Sequence, residues 1–168
     1  MDFRSAKQDD LPKLLQMYQS IIRKMDEDGI QIWDEVYPCA FLSEDIERKR
    51  LFVASEGDTI LAAFALCDSN DGQEAVSWEQ PSARACYLDR LGVSPLHAGQ
   101  GIGGKMLSYA MSLARQKSAD YLRLFVVDCN HPGIGLYQKS GFVRADGVYL
   151  EEIDEDFSLR EYGFEIRL

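Results

Sequence analysis

The chain has 168 residues, a length that suits one hydrophobic core, and we expect a single domain over residues 1–168. Apolar residues make up 46% of the chain and charged residues 27%, a balance that excludes a disordered protein. The formal net charge of -10 disfavours a nucleic-acid partner; the acidic excess either only maintains solubility or favours a cationic acceptor.

Targeting and metal-binding signals are missing from the sequence. No apolar run approaches the roughly 20 residues that cross a bilayer, and the first residues lack the basic and apolar profile of a signal peptide. We therefore expect a cytoplasmic protein without a membrane partner. The Cys and His residues do not have the spacing of a zinc site, so no metal is expected.

The first third of the chain is predicted to contain two helices. Apolar residues at helical spacing between 11 and 25 form one stripe, and Asp9 and Asp10 precede it in positions suited to capping. Residues 30–38 lack periodicity and indicate a loop. A shorter helix, capped by its first residue Ser, is predicted over residues 43–50.

Strand-like patterns follow these helices. Residues 51–55 and 59–67 are apolar runs joined by Glu56-Gly57-Asp58, which is typical of a hairpin. Residues 68–82 are polar and indicate a loop. Residues 83–93 form the next predicted strand. One face of that strand is predicted to carry Ala85, Tyr87, Asp89, Leu91 and Val93.

The second half of the chain predicts a strand, a helix and a strand in order. Residues 106–117 have helical spacing, and the apolar run 122–127 indicates a central strand that is buried on both faces. The two strands of such a βαβ unit are parallel. A short helix at 134–140 and acidic strands at 148–153 and 161–168 complete the prediction.

A glycine-rich loop precedes the longer of these helices. It comprises Ala98, Gly99, Gln100, Gly101, Ile102, Gly103 and Gly104. Glycine backbones at the start of a helix can direct several N–H groups at one anion, and phosphate is the usual ligand. A P-loop would require Ser or Thr where Met106 stands. A dinucleotide-binding fold would have its ribose-binding acid near the position of Asp128. However, its glycine loop follows the preceding strand more closely than this one does, and the unit occurs earlier in the chain.

A second motif lies downstream in a fixed register. It comprises Asn130, Leu136, Tyr137, Lys139, Gly141 and Phe142. Together with the segment AGQGIG at 98–103, it resembles the GCN5-related N-acetyltransferase (GNAT) family, whose loop has the pattern (Arg/Gln)xxGx(Gly/Ala). Ala98 stands where the family has Arg or Gln, and Gly133 stands where Ala is usual.

The resemblance implies a fold, a co-substrate and a set of binding residues. The fold is the α/β acyl-CoA N-acyltransferase fold, a mixed and mostly antiparallel sheet of about seven strands with one central parallel pair and about four helices. The co-substrate is acetyl-CoA. The residues expected to bind it are Leu91, Gly92, Val93, the seven residues of the glycine loop, Asn130 and Tyr137.

The resemblance also implies catalytic roles. Family members transfer the acetyl group directly to an amine through a tetrahedral intermediate. The Val93 N–H is expected to face the acetyl oxygen, and the Tyr137 hydroxyl is expected to protonate the departing sulfur. Tyr87 occupies the approximate position of the family's glutamate base, which leaves Asp89 and Glu79 as alternative bases. Trp33 and Tyr37 are candidates for the wall of an acceptor pocket.

The acceptor is expected to be a primary amine on a small cationic metabolite. A peptide or protein amine is the alternative substrate. An acyl-CoA-binding regulatory module without turnover, or an NAD-dependent oxidoreductase, would be a function of another class. The resemblance is compatible with a homodimer, although no sequence feature identifies an interface.

Overall fold

The computed structural model describes residues 1–168, which form four α-helices and ten strands. The helices are α1 (Leu11–Glu27), α2 (Leu42–Glu47), α3 (Ile102–Gln116) and α4 (His131–Lys139). The strands are β1 (Asp2–Ser5), β2 (Leu51–Glu56), β3 (Thr59–Cys67), β4 (Val76–Ser77), β5 (Ala85–Val93), β6 (Tyr121–Val127), β7 (Val143–Arg144), β8 (Asp146–Gly147), β9 (Tyr149–Glu152) and β10 (Ser158–Arg167). None of the helices combines the length and apolar character needed to cross a membrane.

Eight strands form one sheet in the order β1-β2-β3-β5-β6-β10-β7, and β9 also pairs with β10. β5 and β6 run parallel, with Ala85 opposite Tyr121 and Leu88 opposite Leu124. The pairs β1/β2, β2/β3, β6/β10, β7/β10 and β9/β10 are antiparallel. The separate pair β4/β8 is also antiparallel. The predicted fold class, a mostly antiparallel mixed sheet with one parallel pair and four helices, is confirmed.

β6 is the central strand that the sequence predicts. Its residues Tyr121, Leu122 and Leu124 are at most 1% exposed although they alternate between the two faces. The strand begins one residue earlier than predicted, at Tyr121. β6 is buried on both faces, so its carboxyl end is held rigidly. This end positions the residues that follow it, including Asn130.

The chain divides into two compact units. Residues 1–66 and 90–109 form the first unit, and residues 67–89 and 110–168 form the second. β5 is shared, because its residues up to Asp89 belong to the second unit and the rest to the first. A single domain remains a prediction.

In the first unit, α1 buries one apolar stripe that includes Leu14, Tyr18 and Ile21. The predicted capping of α1 by Asp9 and Asp10 is wrong, because the helix has no side-chain cap. Instead, the Asp10 carboxylate accepts a hydrogen bond from the N–H of Lys7 at 2.8 Å and pairs with Arg4 at 2.7 Å. It therefore stabilises the turn before the helix.

The second helix differs from its prediction. α2 begins at Leu42 rather than at Ser43, and it ends at Glu47. Asp45 on this helix is fully buried, and its oxygens lie 2.6 Å from Arg50 Nε and 2.8 Å from Arg90 Nε. A buried carboxylate between two guanidinium groups ties α2 to β5 within this unit.

β5 departs from regular strand geometry at Arg90, whose φ is 57°. A residue with this φ leaves the extended conformation, so the two faces cease to alternate there. The prediction that Ala85, Tyr87, Asp89, Leu91 and Val93 share one face is therefore wrong beyond Asp89.

In the second unit, the predicted loop 68–82 is more ordered than expected, because it contains β4. Trp78 in this segment is 6% exposed, and its ring lies 5.6 Å from the ring of Phe125 and 6.4 Å from that of Tyr87. Arg123 lies 4.6 Å above the Trp78 ring and pairs with Glu165. These contacts fix the segment to one face of the sheet.

The end of the chain also differs in detail. α4 begins at His131 rather than at 134, and the short strands β7 and β8 are absent from the prediction. The two acidic strands are present as β9 and β10, with β10 beginning at Ser158. The longer β10 pairs with β6, β7 and β9, which makes it the main organising strand of this unit.

Candidate functional site

The glycine loop lies in the first unit, and its residues 98–101 are exposed. Gly99 and Gly101 have φ values of 76° and 75°, a conformation that favours glycine. The N–H groups of Gly99, Gln100 and Gly101 donate to no backbone carbonyl, and the first turn of α3 adds further free donors. The positive end of the helix dipole lies at the same place. This arrangement fits a pyrophosphate.

A cavity of about 530 Å³ adjoins the loop. It is lined by Phe3, Gly101, Gly104, Lys105, Ser108 and Tyr109. The rings of Phe3 and Tyr109 lie 5.2 Å apart, so an aromatic wall stands beside the cationic Lys105. An aromatic base that carries a phosphate has the matching chemistry.

The last residues of β5 belong to the same unit as the glycine loop. Gly92 is buried, and a Cβ at this position would lie 2.8 Å from the Cδ1 of Ile21 on α1. The Tyr18 hydroxyl, also on α1, donates to the backbone carbonyl of Arg90 at 2.6 Å. α1 thus fixes the backbone of Leu91, Gly92 and Val93, the segment predicted to bind the co-substrate.

Asn130 and Tyr137 lie in the second unit. Asn130 caps α4, because its Oδ1 accepts from the N–H of Gly133 at 3.1 Å. A Cβ at Gly133 would lie 2.7 Å from the Asn130 amide nitrogen, which accounts for glycine where the family usually has alanine. The Tyr137 ring is 8% exposed and packs against Phe142 and Phe164. The motif therefore has a structural role in capping α4 and packing it, and a catalytic role of Tyr137 would be additional to this.

The Tyr137 hydroxyl is protonated at neutral pH. Burial raises the pKa of Tyr137 above its ordinary value, and the negative charge of Asp89 acts in the same direction. The charge of Asp89 thus acts on the hydroxyl of Tyr137, and both are sequence-predicted site residues. A neutral phenol can donate a proton, and a carboxylate can accept one.

Asp89 follows Leu88, the last residue of β5 that pairs with β6. Its Oδ1 accepts a hydrogen bond from the side-chain nitrogen of Asn70 at 3.1 Å. Asp89 lies on the sheet face that also carries Tyr87, because residues two positions apart on an extended strand share a face.

Two acids of the second unit, Glu161 and Glu151, were missed by the sequence reasoning. Glu161 on β10 lies opposite Tyr149 on β9, and Glu151 is two residues along β9 on the same face. Burial raises the pKa of Glu161 to about 9, and a hydrogen bond and negative charge from Glu151, together with the charge of Asp89, act in the same direction. The acidic strands were recognised, but their pairing register was not, so no sequence signal paired these two acids.

The pKa of Glu161 predicts how stability depends on pH. Its folded-state pKa of about 9 is above the unfolded value, so the stability from its bound proton is present below about pH 4 and is lost as pH rises through 9. We expect Glu161→Gln to match wild type in Tm at pH 5. At pH 9 its Tm should be higher than that of wild type, because wild type has by then lost most of the stability that its bound proton provides.

Glu152→Gln is the matched control, because Glu152 is on the same hairpin but exposed. Thermal unfolding at several pH values measures both variants against wild type. A Glu161→Gln difference that does not grow with pH would contradict the protonated state of this residue.

Glu79, the other candidate base, is exposed and lies elsewhere in the second unit. Its Oε2 accepts from the hydroxyl of Tyr121 at 3.2 Å, and its N–H donates to Glu165 at 2.7 Å. Tyr121 is the first residue of β6, whereas Asn130 follows the last residue of that strand. Seven residues of strand correspond to about 20 Å, so Glu79 is far from the end of β6 that leads to Asn130 and Tyr137.

Trp33 and Tyr37 lie in the first unit. The Trp33 ring is 5.7 Å from that of Tyr18, and the Tyr37 ring is 5.4 Å from that of Phe41. The guanidinium of Arg90 lies 5.9 Å from the centre of the Tyr37 ring. The Tyr37 ring therefore contacts a cation, while the Tyr37 N–H donates to the carboxylate of Asp34 at 2.8 Å. Its role in binding an acceptor stays a prediction.

A family model decides the membership of the chain. The model described as "Acetyltransferase (GNAT) family" matches residues 14–142, which include the glycine loop, Asp89, Asn130 and Tyr137. The chain belongs to the GNAT family. The family membership expected from the two motifs is thus confirmed.

Two relatives of this GNAT chain act on small molecules according to their names. It is 37% identical over 93 residues to streptothricin acetyltransferase of Streptomyces lavendulae, a match that covers 55% of this chain and 44% of the relative. It is 35% identical over 65 residues to thialysine N-epsilon-acetyltransferase of Bos taurus, covering 39% and 38% of the two chains. The chain thus spans less than half the length of the relatives it matches.

The fold of this GNAT chain is also found in a protein from Salmonella typhimurium whose structure includes its cofactor acetyl-CoA. The two share 17% sequence identity with a TM-score of 0.72, over 100% of this chain and 94% of the other. At this identity the likeness establishes the fold alone.

Proposed function

We propose that this GNAT chain is an acetyltransferase that moves an acetyl group from acetyl-CoA to a primary amine on a small cationic metabolite. The observation that carries the proposal is the set of free N–H groups on the exposed glycine loop, within the segment that matches the family. The named substrates of two relatives support a small-molecule amine as acceptor. The net charge of -10 favours a cationic one.

The proposed roles follow the chemistry of each residue. Bound acetyl-CoA would supply an activated thioester. The glycine loop binds its pyrophosphate, and the Val93 N–H donates to the acetyl oxygen. Asp89 accepts the proton that the acceptor ammonium must lose before it attacks. Tyr137 donates the proton that the sulfur takes up as it leaves.

Asp89 is favoured over Glu79 as the base. The charge of Asp89 acts on the Tyr137 hydroxyl, whereas Glu79 is exposed and hydrogen-bonded at the opposite end of β6.

The test is thiol release from acetyl-CoA in the presence of single acceptors. The panel holds diamines and basic amino acids, neutral amines of matched size, and a peptide with a free N-terminus. We expect turnover with at least one cationic small amine and little with the neutral set. Turnover with the peptide alone would favour a protein or peptide substrate, and binding without turnover would indicate a regulatory module.

A loop substitution tests the binding of acetyl-CoA. Gly101→Ala places a Cβ on a residue with a φ of 75°, at a strain of about 1–2 kcal/mol. Relief of this strain should move the loop N–H groups, so we expect the Kd for acetyl-CoA to rise about tenfold, which corresponds to about 1.4 kcal/mol. Isothermal titration calorimetry measures the change.

Gly57→Ala is the matched control for this variant. Gly57 has a φ of 55° in the β2–β3 hairpin, so its substitution causes comparable strain away from the loop. Both variants should lose thermal stability, but only Gly101→Ala should lose affinity. Equal acetyl-CoA affinities in the two variants would count against the loop as the pyrophosphate site.

A further inference from the structure

Asn70 lies in the segment 68–82, which the sequence predicts to be a loop and in which only Glu79 was a candidate site residue. Its side-chain nitrogen donates to Asp89 Oδ1 at 3.1 Å, and its Oδ1 accepts from the N–H of Gly72 at 2.8 Å. We propose that Asn70 is a positioning residue that orients the carboxylate of Asp89 for proton transfer.

The Asn70 amide can adopt only one orientation. The Gly72 N–H is a donor and requires an acceptor, so the oxygen of Asn70 must face it. The nitrogen then faces the Asp89 carboxylate, which accepts. A flipped amide would oppose donor to donor and oxygen to carboxylate, and both contacts would be repulsive. The amide therefore fixes the direction of the donated hydrogen bond.

The backbone around Asn70 is fixed as well. The N–H of Asn70 donates to the Gln73 side chain at 3.1 Å, and its carbonyl accepts from the Gln73 N–H at 3.1 Å. The Gln73 carbonyl accepts from the indole N–H of the buried Trp78 at 2.8 Å. A Cβ at Gly72 would lie 2.6 Å from Tyr149, so the segment lies directly on the sheet. The donor that reaches Asp89 is thus held from both sides.

A fixed donor matters because a general base must hold one carboxylate oxygen toward the proton it accepts. Titratable groups that interact electrostatically with Asp89 are the hydroxyl of Tyr137 on α4 and Glu161 on β10, which is hydrogen-bonded to Glu151 on β9. A hydrogen bond from an uncharged amide favours the ionised carboxylate without adding a competing cation. It also sets the orientation of the second carboxylate oxygen.

The decisive variant is Asn70→Asp. Aspartate keeps an oxygen for the Gly72 N–H but replaces the donor to Asp89 with a like charge. Under the proposed function, on which this inference depends, kcat/KM for the amine should fall about tenfold with KM for acetyl-CoA unchanged. The acidic limb of the pH profile should move up by about one pH unit.

Two further variants separate positioning from loop structure. Glu74→Gln changes the charge of an exposed residue in the same segment but leaves Asn70 and Asp89 intact, so its pH profile should match wild type. The double variant Asn70→Asp with Asp89→Asn restores a hydrogen bond between the two side chains. In this variant the side chain at position 89 donates and the side chain at position 70 accepts. It should recover the Tm lost in Asn70→Asp but not the activity, because the carboxylate has moved.

A wild-type pH profile and a kcat/KM within about twofold of wild type in Asn70→Asp would overturn the inference. Absence of turnover by wild type with every amine would instead refute the proposed function. In that case, an NMR titration of the Asp89 carboxyl carbon tests positioning directly. An upward shift of its midpoint in Asn70→Asp would support the inference, and an unchanged midpoint would overturn it.

Discussion

Tyr137→Phe is expected to lower kcat about 100-fold and to change KM for acetyl-CoA by less than about twofold. The variant keeps the ring that packs against Phe142 and Phe164, so the fold should persist. It removes only the hydroxyl, which burial and the charge of Asp89 keep protonated at neutral pH. The departing thiolate then lacks its proton donor, which is an effect on turnover rather than on binding.

Tyr162→Phe is the control for the loss of a tyrosine hydroxyl. Tyr162 is on β10, where its ring lies 3.6 Å from the guanidinium of Arg144, and it has no proposed role. Steady-state kinetics with acetyl-CoA and the best amine of the panel should give near wild-type values. If Tyr137→Phe also retains wild-type kcat, another group must protonate the sulfur.

Asp89→Asn is expected to lower kcat/KM for the amine about 100-fold near neutral pH. Asparagine still offers an oxygen to the Asn70 amide, so the hydrogen bond can survive while the base is lost. Because the missing step is deprotonation of an ammonium group, the deficit should shrink as the pH approaches the pKa of the free amine. A rate comparison from pH 7 to pH 10 measures this recovery.

Glu79→Gln distinguishes the two acids that the sequence offered. Glutamine can still accept from the Tyr121 hydroxyl, so the structure around it should be preserved. We expect kcat/KM to stay within about twofold of wild type. The opposite pattern, with a large loss in Glu79→Gln and none in Asp89→Asn, would move the base to Glu79.

Features that are determined by residues close together in the sequence were predicted well. The glycine loop and the motif from Asn130 to Phe142 are contiguous, so their residue order carries the signal. The parallel pairing of β5 and β6 follows from the chirality and order of a βαβ unit. Hydrophobic periodicity located α1, α3 and the central strand, whereas α2 and α4 were predicted with different bounds.

Features that depend on tertiary contacts were not predicted. Asp10 has the residue type of a helix cap, but Arg4 and the Lys7 N–H compete successfully for its carboxylate. Arg90 carries no sequence signal for its positive φ, because residues other than glycine adopt it only where the surroundings require it.

The missed part of the candidate site has the same origin. Asn70 acts through hydrogen bonds inside an irregular segment, which produce no periodicity. Glu161 interacts with Glu151 and Asp89 only through the register of β10 with its neighbours. A shift of β10 by one residue would turn Glu161 to the other face of the sheet, and composition alone does not determine that register.

The central claim is that the chain transfers an acetyl group from acetyl-CoA to an amine. Mass spectrometry of acetylated amine, combined with a thiol assay on the same sample, tests it most directly. We predict one acetylated amine for each CoA released, with release dependent on the amine. Thiol release without acetylated amine, or at a rate that no amine changes, would contradict the claim.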